Sequence, residues 1–374
     1  MRVALTTGPL SIPPTYFVVE HARFLADEID FSLFAPSVSL DEALPFPVRS
    51  AMSLRPGSRL DTVRVQLMRA AVRRSIRAFR PDAVHQHFAT WSLPAADVAR
   101  HDRVPMLTTL HGYDVFALDR PAKGVWGRIT RKNLTATLAN TARFLTVSEW
   151  LAGEAVARGV PADRVEVHYQ GVDTSMFTPD ASPGASADAE PVVLFVGGLV
   201  EHKGVRDVLD ASIALASRLA HRLVLIGDGP LRPLVDQRAA EHPHITPLGL
   251  LPRALLLEHY RAARVSVVAS RRHEGWQESA GLVALEAQSS GTPVVATRTG
   301  GLPEMVRDGV TGTLVPERDP RALAAALEDW LRLDAERYAS AARDARSFVE
   351  SERDAHTQAG RLRELYESAV SGLR

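Results

Sequence analysis

Short apolar runs alternate with stretches of helical periodicity along almost the whole chain. Apolar runs of about five residues are typical of buried strands, whereas apolar positions three and four apart indicate one face of a helix. The pattern predicts strands at residues 2–6, 31–35, 83–88, 105–112, 144–148, 192–198, 222–229, 244–249, 265–270, 293–297 and 312–316. Strands that alternate with helices in this way predict parallel α/β construction, because parallel neighbours need a crossover connection between them.

One segment interrupts the alternation. Residues 178–191, "TPDASPGASADAEP", have no apolar periodicity and are rich in Ala, Ser, Pro and Asp, which is typical of a linker. A chain of 374 residues also exceeds the usual size of one domain. We therefore predict two Rossmann-like, doubly wound parallel-sheet domains, at residues 1–180 and 181–355, that face a central cleft.

Composition narrows the functional classes. With 45% hydrophobic and 24% charged residues the chain is typical of a globular protein. Its 44 basic and 44 acidic residues balance, so we predict no general affinity for nucleic acid. The absence of cysteine excludes disulfides and thiolate chemistry. No apolar run approaches the ~18 residues of a membrane span, and the first residues do not form a signal-peptide pattern, so we expect a cytoplasmic protein.

Candidate site residues lie where predicted strands end, which is where doubly wound sheets bind their ligands. Glycines in such turns let the backbone approach a ligand, although each also fits a simple tight connection. A histidine there can face a ligand, although a hydrogen-bonded core histidine is the alternative. These positions are Gly8, His87, His111, Gly197, Gly198 and Gly227.

Residues 278–291, "ESAGLVALEAQSSG", hold two carboxylates eight positions apart. Small residues after Glu278 permit a turn, and residues 282–288 predict a short buried helix with Glu286 in its second turn. Free N–H groups at the start of that helix favour phosphate oxygens. The spacing suits a diphosphate flanked by two sugars, with one acid on each. The alternative is a capping acid followed by a solvated helix acid.

Two histidines share one face of a predicted strand in "HQHF", at His85 and His87. This pair could suggest a metal site. Because further ligands are lacking nearby in the sequence, we predict no metal.

The predicted helix at residues 64–80 carries six arginines opposite an apolar face, and Lys123, Trp126, Arg128, Arg131 and Lys132 follow farther along. Such a surface could contact anionic lipid or an acidic acceptor, which would place the protein on the inner face of the cytoplasmic membrane. An ordinary solvated helix is the alternative.

Taken together, these motifs resemble the GT-B-fold glycosyltransferases, specifically the retaining group called glycosyltransferase family 4. "HQHFAT", "TLHGYD", "VSEWL" and "HYQGVDTSMF" look like its N-terminal domain and the run into the linker. "VGGLVEHKG", "GDGPL" and "ESAGLVALEAQSSGTPVVATRTGGLPEMVRDGVTGTLVP" look like its donor-binding domain. Glu278 and Glu286 match the family's E-x7-E motif. In relatives the final helix, here about residues 356–374, crosses back onto the N-terminal domain.

The resemblance implies roles for individual residues. Glu286 matches the acid that binds the ribose hydroxyls, Glu278 the acid beside the donor sugar, and Lys203 the lysine that neutralises the diphosphate. His111 matches the histidine near the reacting centre, and the loop around Gly8 would lie beneath the diphosphate. The donor site would further include Gly197, Gly198, Gly227, Leu248, Ser279, Ala280, Gly281 and Leu282. N-terminal loops would shape the acceptor site, with Tyr16, His87 and Trp91 as candidates, although these aromatic side chains fit a core equally well.

One position departs from the family pattern. The family usually has arginine where this chain has Gly198, so one cation expected on the diphosphate is missing. Arg206, His202, Arg271 and Arg272 are candidates to compensate. Losing one charge-assisted hydrogen bond costs about 1.5–3 kcal/mol, which weakens binding without abolishing chemistry.

The function implied by the resemblance is transfer of a hexosyl-type sugar, with retention, from a UDP- or GDP-sugar to an acceptor hydroxyl. The acceptor would be a glycan, a lipid-linked saccharide or a small molecule in polysaccharide or glycoconjugate biosynthesis. Relatives generally need no metal or other cofactor, and the nucleotide sugar is a substrate. Two alternatives remain open: a sugar-nucleotide 2-epimerase of the same fold, and a catalytically silent carbohydrate-binding protein.

Overall fold

The computed structural model describes residues 1–12, 14–52, 69–179 and 190–372. The chain divides into two compact units, Met1–Gln170 with His356–Arg374 as unit 1 and Gly171–Ala355 as unit 2. The composition predicts the boundary about ten residues later, inside residues 178–191. Residues 180–189 of that segment lie outside the described residues.

Unit 1 is built on a parallel sheet to which eight described strands contribute. The strand order is β2-β3-β1-β5-β6-β7-β8, with β4 paired to β3, and each pairing is parallel. The order reverses between β1 and β5. The strands are β1 (Arg2–Thr6), β2 (Leu10–Ile12), β3 (Asp30–Leu40), β4 (Val48–Met52), β5 (Ala83–His87), β6 (Met106–Leu110), β7 (Arg143–Thr146) and β8 (Val165–Val167).

Helices cover both faces of this sheet. Along β1, Val3 and Leu5 pack into one core while Ala4 packs into the other, because successive side chains of a strand point to opposite faces. Both faces are therefore buried, as parallel sheets require. The helices that the structure describes before residue 171 are α1 (Glu20–Phe24), α2 (Arg69–Phe79), α3 (Leu93–Asp102), α4 (Tyr113–Phe116), α5 (Gly124–Asn140) and α6 (Glu149–Ala157).

Unit 2 has a six-stranded sheet of order β11-β10-β9-β12-β13-β14, in which each pairing is parallel. The order reverses between β9 and β12, and the loops at such a reversal point are the usual ligand-binding position of a doubly wound sheet. The strands are β9 (Val192–Val196), β10 (Arg222–Ile226), β11 (Ile245–Gly249), β12 (Val265–Val268), β13 (Val294–Thr297) and β14 (Gly312–Val315).

The helices of unit 2 bury apolar faces against this sheet, and Val193 and Phe195 of β9 pack with residues of the first and fifth of them. Asp319 and Asp334 begin two helices by accepting a hydrogen bond from the backbone N–H three residues on. The helices are α7 (Val205–Ala216), α8 (Arg232–Glu241), α9 (Arg253–Ala262), α10 (Leu282–Ser289), α11 (Pro320–Arg332) and α12 (Ala335–Glu352).

The last helix, α13 (Ala355–Ser371), packs on unit 1. Its Tyr366 is fully buried in the core that contains Val3 and Phe31. Parallel strands, crossover helices and reversal points give the α/β class predicted from the sequence, and two doubly wound parallel sheets are confirmed.

The arginine-rich helix predicted at residues 64–80 is described only from residue 69, as α2, and residues 64–68 lie outside the described residues. Val72, Ile76 and Phe79 are buried in the core. The guanidinium of Arg69 lies 2.8 Å from Asp97 of α3, and that of Arg77 lies 2.6 Å from Asp102. These contacts favour the alternative of an ordinary solvated helix.

Among the described residues, no helix combines the length and the apolar character that crossing a membrane requires.

Candidate functional site

In unit 2 the loops after β9 and β12 meet at the point where the strand order reverses. The Nζ atom of Lys203, from the first loop, lies 2.5 Å from Oε2 of Glu278 in the second. Ser270 Oγ donates to the same carboxylate oxygen at 2.9 Å. The backbone fixes this approach, because Arg271 N donates to His202 O at 2.9 Å. A lysine and a glutamate predicted separately from distant motifs are thus brought together.

Glu278 is buried, with only 8% of its surface exposed. Burial by itself raises the pKa of this carboxyl, but the charge of Lys203 and the hydrogen bonds from Lys203 and Ser270 outweigh burial. The pKa of Glu278 therefore lies below its ordinary value. The loop therefore holds an ion pair between Lys203 and an ionised Glu278.

The turn between Glu278 and α10 is fixed by its neighbours. Gly281 has φ +64° immediately before the helix, a conformation that glycine adopts without strain. Gly301 N donates to Glu278 O at 2.9 Å, and a Cβ added to Gly300 would lie 2.0 Å from that oxygen. The backbone of residues 278–281 is therefore held by the turn around Gly300, which leads into a short 3-10 helix at Leu302–Glu304.

Glu286 lies in the second turn of α10 and is 2% exposed. The phenol of Tyr260, on α9, donates to its Oε2 at 2.9 Å. Nε of Arg253, at the start of α9, lies 3.9 Å from its Oε1. Glu286 is thus an inward-facing acid with a built hydrogen-bond partner, unlike the solvated helix acid that was the alternative interpretation. The sequence analysis missed both Tyr260 and Arg253, which carry no motif.

The glycine turns of unit 2 pack on each other. A Cβ added to Gly227 would lie 1.9 Å from the carbonyl oxygen of Gly197, so the close approach of the two loops accounts for glycine at this position. Gly198 is different, because a Cβ there would meet only Val200 Cγ2 at 3.7 Å and Asp228 O at 4.0 Å. Steric space therefore does not explain why the arginine of the family is absent at Gly198.

The four candidates to replace that arginine already have partners. The Nε atom of Arg206 and the terminal nitrogen Nη2 of Arg271 bind the two carboxylate oxygens of Glu201, at 2.8 and 2.7 Å. Arg271 also lies 3.1 Å from Asp207. The His202 ring lies 3.9 Å from that of Trp276, centre to centre. When the Gln277 side-chain amide is oriented with its oxygen toward Arg272, that oxygen accepts two hydrogen bonds of 2.9 Å from the Arg272 guanidinium.

Three further predicted donor residues, Leu248, Ser279 and Ala280, can be located in unit 2. Leu248, near the end of β11, is 39% exposed. Trp276, which the sequence analysis did not single out, lies beside the ion pair, with Lys203 Nζ 5.2 Å from the centre of its ring. The sequence did contain a signal for Trp276, because this residue is an aromatic side chain in the loop that holds Glu278, "HEGWQES". Ser279 is buried and Ala280 half-buried in this loop.

In unit 1 the loops after β1 and β5 also meet where the strand order reverses. Gly8 follows β1, and Trp91 follows β5 in the 3-10 helix Ala89–Trp91. A Cβ added to Gly8 would lie 2.4 Å from Cδ1 of Trp91, so the indole occupies the space that a side chain would need. Packing thus accounts for glycine at position 8. Trp91 and Tyr16 are both half-buried.

His111, at the end of β6, has a partner for each ring nitrogen. Its Nε2 lies 3.1 Å from Nδ1 of His87, and its Nδ1 lies 3.2 Å from Nε2 of Gln170. Because the Gln170 amide donates, Nδ1 of His111 accepts, and Nε2 then carries the proton and donates to His87. The Phe88 ring lies 4.3 Å from the His111 ring, centre to centre. Gln170 was not predicted from the sequence.

Burial keeps these imidazoles neutral. Burial lowers the pKa of His111 to about 3. The pKa of His21 is also lowered to about 3, mainly by burial and to a smaller extent by electrostatic repulsion from His168. Burial followed by the charges of His85 and His111 lowers the pKa of His87 well below its ordinary value. At neutral pH this cluster can therefore donate and accept hydrogen bonds without carrying charge.

Asp114, which the sequence analysis did not select, organises the loop after β6. It is fully buried, and its carboxylate accepts from the N–H groups of Ala89, His111, Gly112 and Val115 at 3.0–3.2 Å. Burial raises its pKa, and hydrogen bonds from backbone N–H groups, including those of Ala89, His111 and Val115, oppose that rise. Its side chain thus ties the loop after β5 to the loop that carries His111.

His85 and His87, the pair considered as metal ligands, are both buried in unit 1. His85 is hydrogen-bonded at both ring nitrogens, to the Tyr366 hydroxyl at 2.6 Å and to Thr109 Oγ1 at 2.7 Å. Within the part of the chain that the structure describes, no group of three or more His, Asp or Glu side chains is arranged to hold a metal ion.

Comparison with known proteins identifies the family. The model described as "Glycosyl transferases group 1" matches residues 190–332, and that described as "Glycosyltransferase Family 4" matches residues 15–176. The chain is 30% identical to a D-inositol 3-phosphate glycosyltransferase of Thermobifida fusca, over 86% of this chain and 82% of the relative. The chain belongs to the group 1 glycosyltransferases. The family predicted from the motifs is confirmed.

The chain is also similar to a second relative and to a solved crystal structure. A glycogen synthase of Mycobacterium tuberculosis is 30% identical over 80% of this chain and 71% of its own length. The crystal structure of Anabaena HepE in complex with UDP and glucose superposes with a TM-score of 0.76 at 20% identity, and covers 97% of this chain and 99% of its own. This likeness supports the GT-B fold of this glycosyltransferase.

Proposed function

We propose that this glycosyltransferase moves a hexosyl-type sugar from a nucleoside diphosphate sugar to an acceptor hydroxyl, with retention of anomeric configuration. One observation carries the proposal: half-buried Lys203 and buried Glu278 form an ion pair where the strand order of unit 2 reverses, directly before the helix that holds Glu286. A cation, a carboxylate and a helix start match the phosphates and hydroxyls of such a donor.

Each of these groups has a distinct task in the proposal. Lys203 exchanges Glu278 for the diphosphate and neutralises the charge that grows on it as the glycosidic bond breaks. Glu278, whose pKa is lowered, stays ionised and accepts hydrogen bonds from the sugar hydroxyls. The free N–H groups at the start of α10 bind phosphate oxygens. Glu286, held by Tyr260, accepts from the ribose diol.

Retention follows in this proposal from attack on the face that the diphosphate leaves. The leaving phosphate itself takes the acceptor proton, so no carboxylate has to act as nucleophile. Lys203 supplies the positive charge that a metal would otherwise provide, and we propose that turnover is independent of divalent cations. Activity that survives EDTA supports this assignment, whereas loss of activity restored by a divalent cation contradicts it.

In unit 1 we propose that His111 contacts the donor sugar near the reacting centre. Both of its ring nitrogens are occupied, by His87 and Gln170, so contact with a sugar hydroxyl requires one of these partners to give way. His87 is 6% exposed, which favours a supporting role beneath His111. Its contact with the acceptor, like those of Tyr16 and Trp91, stays a prediction.

The donor base and the acceptor can be narrowed by experiment. UDP-sugars are the first donors to test, because a protein of the same fold was crystallised with UDP and glucose. The named relatives suggest two acceptor classes, a phosphorylated polyol and a glucan. A lipid-linked saccharide is a third class. Leu248, exposed at the end of β11, is the proposed apolar contact of the base.

A thermal-shift panel of UDP- and GDP-sugars with the free nucleotides tests the proposal first, because a tight donor stabilises the folded protein by RT ln(1 + [L]/Kd). Release of nucleoside diphosphate is then measured with each acceptor class, and NMR of the product reports its anomeric configuration. Acceptor-dependent release with a retained product is expected. An epimerised donor without acceptor indicates the 2-epimerase, and binding without turnover indicates the silent protein suggested by Gly198.

A further inference from the structure

Gln170 links two buried histidine side chains of unit 1. Its carbonyl oxygen lies 2.6 Å from Nε2 of His21 on α1, and its side-chain Nε2 lies 3.2 Å from Nδ1 of His111. Because a carbonyl oxygen only accepts, His21 donates this hydrogen bond and thereby fixes the main chain of Gln170. Gln170 itself is 8% exposed. One histidine therefore holds the backbone of Gln170, while its amide side chain binds another.

The amide of Gln170 is the first member of a hydrogen-bonded series that continues through His111 to His87. Nε2 of His111 lies 3.1 Å from Nδ1 of His87. Burial lowers the pKa of His111 to about 3 and, with the charges of nearby histidines, lowers that of His87 well below its ordinary value. Each imidazole is therefore neutral at neutral pH and carries one proton on one of its two ring nitrogens.

Only two arrangements of protons satisfy both hydrogen bonds of this series. In the first, the Gln170 amide donates to Nδ1 of His111, and the protonated Nε2 of His111 donates to Nδ1 of His87, which then carries its own proton on Nε2. In the second, the Gln170 amide is reversed, its oxygen accepts from Nδ1 of His111, and each proton moves to the opposite ring nitrogen. The orientation of one amide group therefore selects the proton positions of both histidines.

The structure has the first arrangement, because the amide nitrogen of Gln170 faces His111. The rings of Phe17 and Phe88 lie 5.0 and 4.3 Å from the His111 ring, centre to centre, so packing also restrains that imidazole. Among the described residues, Nε2 of His87 has no hydrogen-bond partner, although His87 is only 6% exposed. In this arrangement the series ends in an unpaired N–H on a buried side chain, which an oxygen atom of a ligand would satisfy.

We propose that Gln170 is a positioning residue that makes His111 and His87 hydrogen-bond donors, through Nε2, to oxygen atoms of the bound sugar. When the sugar binds, His111 releases His87 and keeps its hydrogen bond to Gln170. The proposal rests on the proposed contact between His111 and the donor sugar, and it adds the direction of that hydrogen bond. An N–H group can bind a ring, glycosidic or hydroxyl oxygen, whereas an unprotonated nitrogen could bind only a hydroxyl proton.

NMR of the full chain with ¹⁵N-labelled histidine reads the proton positions directly, because long-range proton–nitrogen correlations distinguish protonated from unprotonated ring nitrogens. Comparison with His87→Gln and His111→Gln assigns these two among the 13 histidines. Both should be protonated on Nε2 in the native chain. In Gln170→Glu, whose carboxylate only accepts, Nδ1 of His111 should be protonated instead. Gln170→Met keeps the length of the side chain without a hydrogen bond and should show both forms of His111, which decides the question if the glutamate variant does not fold.

Calorimetric titration with UDP and UDP-glucose measures the consequence for the sugar. Losing or reversing one hydrogen bond should lower the ratio of UDP-glucose affinity to UDP affinity about fivefold in Gln170→Glu and Gln170→Met. The affinity for UDP should stay within about twofold, because its proposed contacts lie in unit 2. The matched control is Thr109→Val, which removes the hydroxyl that lies 2.7 Å from His85 but leaves Gln170, His111 and His87 intact. This control should change neither the His111 proton position nor the affinity ratio.

Several results would overturn the proposal. A proton on Nδ1 of His111 in the native chain contradicts it, as does the same His111 form in every Gln170 variant. An unchanged affinity ratio after the proton has moved excludes the effect on the sugar, and equal losses for UDP and UDP-glucose show a general structural defect. If the native chain binds neither UDP nor UDP-glucose, it is the proposed use of a UDP-sugar that fails, and the NMR spectra alone then confirm or refute the role of Gln170.

Discussion

The residues at the reversal points of the two sheets differ in charge. In unit 2 the facing loops contribute Lys203 and Glu278, which form an ion pair. In unit 1 the corresponding loops contribute Gly8 and Trp91, and the histidines at the ends of β5 and β6 are kept neutral by burial. The same sheet topology thus carries a charged pair in the loops of unit 2 and neutral, hydrogen-bonded histidines in those of unit 1. Under the proposed function, the charged loops of unit 2 bind the donor diphosphate, and the neutral histidine His111 of unit 1 contacts sugar hydroxyls.

Acidification should destabilise unit 1 more than unit 2, and this is the largest effect that we expect. Histidines with a lowered pKa are neutral when folded but protonated when unfolded, so the unfolded chain binds more protons below pH 6.5, the ordinary histidine value, and stability falls as pH falls. Each neutral histidine contributes a slope of about 1.4 kcal/mol per pH unit. His168, with a pKa of about 4, sets the upper end at which folded histidines begin to protonate. Hydrogen exchange resolved by unit should therefore show unit 1 opening between pH 6.5 and 4.5.

Unit 2 provides the internal control for that experiment. The lowered pKa of Glu278 contributes stability that is present above its ordinary value of 4.5 and is lost only as the pH falls below it. His202 and His244 also have lowered pKa values, but both are half-buried and should contribute less. His21→Gln should reduce the slope of unit 1. Parallel loss of protection in both units would contradict the assignment.

Removing the cation of unit 2 should have the next largest effect. Lys203→Ala deletes the group proposed to stabilise the leaving diphosphate and leaves Glu278 buried without its cation. Loss of one preorganised electrostatic contact typically lowers kcat by about 100- to 1,000-fold. Steady-state assays of nucleoside diphosphate release measure this, and Lys203→Arg should retain part of the activity. A kcat within threefold of the native value for the alanine variant would exclude the proposed role.

Glu286 should affect binding more than turnover. Glu286→Gln removes a charged acceptor from the ribose diol while keeping a similar shape next to Tyr260. Loss of charge-assisted hydrogen bonds at about 1.5–3 kcal/mol predicts a 10- to 100-fold rise in the donor Kd with kcat little changed. Calorimetric titration of the donor measures the change. Tyr260→Phe is the control and should raise Kd only severalfold; an unchanged Kd in Glu286→Gln would refute ribose binding.

The smallest expected effect is a gain of donor affinity at Gly198. Space is available for a side chain there, since the nearest atom to an added Cβ is 3.7 Å away. Gly198→Arg should therefore fold normally and tighten donor binding, by about tenfold if the guanidinium makes one charge-assisted contact. Gly198→Gln, uncharged and of similar length, serves as the control. Equal affinities for both variants would show that the diphosphate does not lie near this position.

Much of this picture was accessible from the sequence. The apolar runs predict β1, β5, β9, β10 and β12 to within a few residues, because strands buried on both faces are nearly continuous hydrophobic segments. The short strands β2, β4 and β8 were not predicted. Leu10–Ile12 and Val165–Val167 have only three residues each, too few to show periodicity. Such strands form because a neighbouring strand offers hydrogen bonds, which no local pattern records.

The candidate site could be predicted only where its residues lie close together in the sequence. Glu278 and Glu286 could be paired from the chain because one turn and one helix separate them. The contact of Glu278 with Lys203, 75 residues away, depends on the crossing of two loops that no spacing encodes. Gln170 and Asp114 were missed for the same reason, since their importance comes from histidine and backbone partners brought near by the sheet. Polar residues of ordinary type become recognisable as site components only through their partners.

The central claim is that the charged reversal point of unit 2 holds the sugar diphosphate, and a crystal structure with the most stabilising nucleotide sugar tests it most directly. In that crystal, Lys203 Nζ is expected to leave Glu278 and to contact a diphosphate oxygen. Glu278 should then accept from the hexose, and Glu286 from the ribose. A nucleotide bound elsewhere, with the Lys203–Glu278 ion pair intact, would contradict the account.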